Sequence, residues 1–170
     1  MNDTSGLILL LVTIGILVVG YIGLTVAEIL RIKQTNWVDA KQSVSYPVVT
    51  NLINIPVAVL CYMITMTVIM FAAYFGLMAV LFNVGDNPTL VTITMIAYWL
   101  LSAVFMFIIY LAAFSLVRLI MTKVLVKFST LTWKYIVGQS ALLAALPTIA
   151  YLILTIIGYL ITMNSLSPVK

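Results

Sequence analysis

Long apolar tracts alternate along this chain with short clusters of polar and charged residues. Charge is absent between Asp3 and Glu28, between Lys41 and Asp86, between Asp86 and Arg118, and between Lys134 and Lys170. Each tract exceeds the about 20 apolar residues that a helix needs to cross a bilayer. Barrel strands are excluded, because they need only about 10 residues of alternating polarity. Open strands are excluded too, because their free backbone groups would face hydrocarbon. The pattern predicts an all-α integral membrane protein, a four-helix transmembrane bundle forming one membrane domain over residues 1–170.

The boundaries follow from caps, prolines and charges. The first span is expected at 6–30, closed by Glu28, Arg31 and Lys33. The second is expected at 56–82. Polar residues persist to Asn54, and Pro56 suits a first helical turn, where its missing N–H has no intrahelical partner. That span, about 27 residues or roughly 40 Å, is longer than a bilayer core and should tilt or protrude. The third opens on Asn87-Pro88, a cap followed by proline, and is expected at 88–117. The fourth is expected at 135–162, with Pro147 kinking it near its middle. In the connection 31–55, Asn36 caps a short interfacial helix that carries Trp37 at headgroup level and stops before Pro47. An ordinary loop is the alternative there. The connection 118–134 interleaves Arg118, Lys123, Lys127 and Lys134 with apolar residues, which reads as a continuation of the third span into the headgroup region, its lysines reaching outward to anionic lipid, or as a plain loop kept in the cytoplasm.

Composition and charge sharpen the picture. The chain is 65% hydrophobic and 7% charged, where a soluble domain carries about 25% charged residues. No solvated basic face exists for nucleic acid. Of the eight basic residues, all but Lys170 fall in the connections 31–55 and 118–134. Basic residues in short loops stay inside the cell. Both termini and the connection near 83–89 are therefore expected outside the cytoplasm, in a cell membrane (plasma or bacterial inner).

The chemistry available is sparse. The chain has no histidine and one cysteine, Cys61, which lies in an apolar tract and reads as a small buried hydrophobe. No metal site, cofactor site or catalytic set can be assembled from these residues, so no enzyme is expected. Ser102, Ser115 and Ser140 read as hydroxyls bonded to the preceding helical turn. The candidate binding residues are Glu28, Asn51, Asn54, Gln139 and Ser140. Glu28 neighbours Arg31 on a helix, as a hydrated interfacial pair or as a cation or proton site. Asn51 and Asn54 read as caps of the second span, or as a polar cluster that Gln139 and Ser140 meet across the bundle. Small residues recur at close-packing spacing: Gly23 and Ala27, then Ala72, Gly76 and Ala79, then Ala141 and Ala145. They serve packing inside one bundle or association with another helix.

The expected function is contact between helices. The chain reads as an accessory or structural subunit of a membrane complex, or as an immunity-type protein that binds and restrains another membrane protein. Its partners are then another membrane protein or a second copy, besides anionic lipid. The alternative is a small oligomeric channel or transporter.

Overall fold

The computed structural model describes residues 3–35, 39, 41–84, 87–126 and 133–166. All regular structure among them is helical: α1 (Asp3–Thr35), α2 (Gln42–Ala72), a π-helical segment (Ala73–Leu77), α3 (Met78–Val84), α4 (Pro88–Leu125) and α5 (Trp133–Leu166). Since α2, the π segment and α3 follow without a break, the chain forms four rods. Each is long and apolar enough to cross a membrane.

The rods form a closed ring in the order α1, α2, α4, α5. Each packs on its two neighbours, while the diagonal pairs α1/α4 and α2/α5 have no close backbone approach. Neighbours run antiparallel. Along α2 and α4, Tyr46 meets Thr122, the Ala58 carbonyl meets Tyr110, and the Ile69 carbonyl meets Tyr98. Along α1 and α5, Glu28 meets Tyr135, and a Cβ on Gly20 would lie 3.0 Å from the Leu146 side chain. The two ends of the bundle therefore differ. One end carries the connections between α1 and α2 and between α4 and α5, with Arg31, Lys33, Lys41 and Lys123 exposed there. This is the basic end of the bundle.

The start of α4 is as expected: the Asn87 side chain accepts from the backbone N–H of Thr89 and Leu90, with Pro88 at the first position. The start of the second rod is not. It begins at Gln42, so Pro47 and Pro56 both lie inside α2. Helical bonding begins earlier still, with Ser43 N–H donating to the Asp39 carbonyl at 2.9 Å. A separate interfacial helix ending before Pro47 is therefore not present among the described residues. Trp37 lies outside them. A proline inside a helix removes one N–H and crowds the carbonyl four residues earlier, and a membrane-spanning helix tolerates this where neighbouring groups satisfy the freed carbonyl.

The buried face of α2 explains why the helix extends so far. Ser43, Tyr46, Pro47, Thr50, Asn51 and Asn54 are buried, followed by Cys61, Thr65 and Ile69. Steps of three, four and seven mark one continuous stripe. Its first half is polar and faces the bundle axis, while Leu52, Ile55, Val59 and Leu60 face outward.

Two apolar clusters form the core. Cys61, Met106, Tyr110, Phe114, Leu143 and Ala144 pack in the middle of the bundle, which places Cys61 as a buried hydrophobe. Ile32, Tyr46, Val126, Tyr135 and Ile136 close the basic end. The polar site lies between these clusters.

Candidate functional site: a buried ion pair and its polar layer

Glu28 on α1 and Arg118 on α4 form a salt bridge across the bundle axis, with both side chains fully buried. Each sits about two turns from the end of its helix, roughly 10 Å along the axis. Arg118 follows Met106, Tyr110 and Phe114 at successive steps of four on the buried face of α4. Its position is thus set by the same periodicity that buries its apolar neighbours.

The contacts are bidentate. Arg118 Nη1 donates to Glu28 Oε1, and Nη2 donates to Oε2 at 2.9 Å. Tyr135 Oη on α5 donates to Oε1 at 2.8 Å, and Asn51 Nδ2 on α2 donates to Oε2 at 3.3 Å. A carboxylate offers about four acceptor positions. Four donors fill them, one from each of Tyr135 and Asn51 and two from Arg118. Asn51 closes the circuit. Its Oδ1 accepts from Arg118 Nη2 at 2.8 Å, and its Nδ2 also donates to Thr25 Oγ1 at 3.0 Å. All four rods thus contribute to one network.

This arrangement corrects several expectations. Glu28 is paired with Arg118 and not with Arg31, whose guanidinium lies 5.8 Å over the Tyr135 ring. Arg118 is a buried charge in α4 and not a headgroup anchor in a connection. An acid and a base do lie inside the bundle, where none was expected. Asn51 and Asn54 sit in the interior of α2 and cap nothing.

All five candidate residues are buried: Glu28, Asn51, Asn54, Gln139 and Ser140. Only Glu28 and Asn51 bond to each other among them. The anticipated pairing of Asn54 with Ser140 does not form, since both amide atoms of Asn54 and Ser140 Oγ have no hydrogen-bond partner. Thr50 Oγ1, Ser115 Oγ and Arg118 Nε share that condition. For Ser115 and Ser140 this also overturns the expected bond to the preceding turn. The contrast within the chain is clear: Thr25, Thr65, Thr67, Thr122, Thr148 and Thr155 all donate to the carbonyl four residues earlier. Thr50 and Ser140 leave that partner unused.

Sequence reasoning missed Arg118, Tyr135 and Thr25 as members of the site. The signal for Arg118 was its spacing from Phe114 and Tyr110. No local signal marks Tyr135.

The basic-end cluster seals the site. Tyr46 and Thr122 share a 3.0 Å hydrogen bond, and Gln42 Nε2 donates to the Leu125 carbonyl. The charges are therefore covered at this end of the bundle. Among the described residues, no group of three or more acidic, histidine or cysteine side chains could hold a metal ion. Compared with protein-family models, curated proteins and solved structures, the chain matches none.

Proposed function

We propose that this chain is a non-enzymatic, four-span membrane protein that works through helix–helix contact with another membrane protein. It would act as an accessory subunit or as a restraining, immunity-type binder. The orientation that goes with this reading places the basic end in the cytoplasm and both termini outside, in a plasma or inner membrane.

One observation carries the reading. The small-residue row of the second rod is unused by the chain's own packing. Ala72, Gly76 and Ala79 are exposed, and a Cβ on Gly76 would meet nothing within 4 Å. Phe71, Tyr74 and Phe75 beside it are 62%, 70% and 67% exposed. The π segment lies here too, and such segments are frequent at functional places in helices. Its altered backbone is braced from within, because Tyr98 Oη donates to the Ile69 carbonyl. Small residues flanked by aromatics suit close approach by a second helix. The saturated carboxylate of Glu28 supports the same view, since it has no acceptor position left for a cation.

The test is capture of a stoichiometric partner from native membranes with the tagged full chain. The wild type should retain it, and Gly76→Leu should lose it while keeping the same thermal stability. Equal retention by both would reject this face. A second reading, a small oligomeric channel or transporter, is favoured by the unpartnered polar atoms of Asn54, Thr50 and Ser140. Selective solute flux through liposomes holding only the purified chain would support it over the first.

A further inference from the structure

We propose that the groove between α1 and α2 is a binding site for one anionic phospholipid, with an acyl chain in the groove and the phosphate on Lys33 and Lys41. This rests on the membrane-spanning reading but not on the partner-binding one.

The groove has a volume of about 650 Å³ and runs along α1 from Leu17 to Ile29 and along α2 from Val59 to Val48, with Pro147 of α5 also lining it. Its walls are aliphatic apart from Tyr21, Thr25 and Asn51. The length from Leu17 to Ile29 is about 18 Å at the helical rise. Half of a bilayer's hydrocarbon core is about 15 Å. The groove therefore matches one leaflet, the one at the basic end, and fits one acyl chain rather than a helix crossing the whole bilayer.

The groove-lining stripes continue into lysines. On α1 the lining positions Ile22, Val26 and Ile29 lead by the same steps to Lys33. On α2 the lining positions Ile55, Leu52 and Val48 lead back to Lys41, which has helical backbone angles. Both lysines are exposed. Lys33 lies four residues beyond Ile29 and Lys41 seven residues before Val48, about 6 and 10 Å past the groove at the helical rise, within reach of a phosphate whose acyl chain fills it. Of the other charges at this end, Lys123 and Lys134 are exposed on α4 and α5, Arg31 lies over Tyr135 on the α5 side, and Glu28 is consumed by Arg118. Asp39 is exposed nearby and subtracts from the positive field without cancelling two lysines.

Native mass spectrometry of the purified full chain with phosphatidylglycerol or phosphatidylcholine of identical chains tests this. One phosphatidylglycerol should be retained with a preference of about thirtyfold, the effect of two basic residues at an anionic surface. Lys33→Gln with Lys41→Gln should abolish the preference. Lys123→Gln, which removes a basic-end charge away from the groove, should leave it unchanged. Ile55→Phe and, separately, Val26→Phe should fill the groove and reduce retention of both lipids; elution as a single folded species qualifies each variant. Equal retention of the two lipids would overturn the site. So would an equal loss in Lys123→Gln, or unchanged retention in folded groove-filled variants. A transmembrane partner helix in the groove instead would appear as a protein cross-link to Ile55 that phosphatidylglycerol does not compete away.

Discussion

Asn54 shows how local chemistry governs a residue in this interior. Its amide is buried with neither nitrogen nor oxygen partnered. An unmade buried hydrogen bond costs about 1–3 kcal/mol. Asn54→Leu is therefore expected to raise stability by about that amount, read as a higher Tm in detergent. A lower Tm would mean that the amide is satisfied by groups other than those described. Arg118 and Glu28 carry the opposite lesson. Glu28 has Arg31 within one helical turn, so sequence proximity suggested a local pair. The true partner is 90 positions away on the diagonal helix, and no short-range pattern encodes that choice. The inward placement of Arg118 was legible in its steps of four from Tyr110 and Phe114. Its charge obscured this, because a basic residue beside a run of lysines suggests the headgroup region.

At the scale of elements, the four rods followed from the spacing of charges, and the start of α4 followed from Asn87-Pro88. The start of the second rod did not, because a proline at a first turn and a proline within a buried helix look alike in sequence. The informative signal was the polar stripe from Ser43 to Asn54. It repeats at helical steps, and in a membrane bundle the polar face is the one that turns inward. Glycines divide by what they face. A Cβ on Gly20 would press on Leu146, whereas one on Gly23 would meet nothing within 4 Å. Gly20→Val is expected to cost about 1–3 kcal/mol, because its added methyls crowd the Leu146 side chain, while Gly23→Ala, with open space around it, is expected to leave stability unchanged or raise it by up to about 1 kcal/mol. Thermal unfolding of the two variants compares them directly. Equal losses would mean that α1 is seated on α5 in some other rotation.

At the scale of the molecule, Glu28, Thr50, Asn51, Asn54, Arg118, Gln139 and Ser140 are buried inside the ring, while most described outward-facing positions within the rods are apolar. The described basic residues other than Arg118 that are exposed cluster at one end. A reporter active only in the cytoplasm should therefore be silent when fused to either terminus and active when inserted near residue 39. The reverse pattern would invert the orientation. Glu28 and Arg118 meet across a diagonal that has no backbone contact of its own. The most direct measurement is a double-mutant cycle in unfolding free energy with Glu28→Leu, Arg118→Leu and the pair together. Each single change should cost about 3–5 kcal/mol by stranding a buried charge, and the double change should cost well under their sum because both charges leave together. Strictly additive losses, or single changes without effect, would contradict a buried pair in which each charge is compensated by the other.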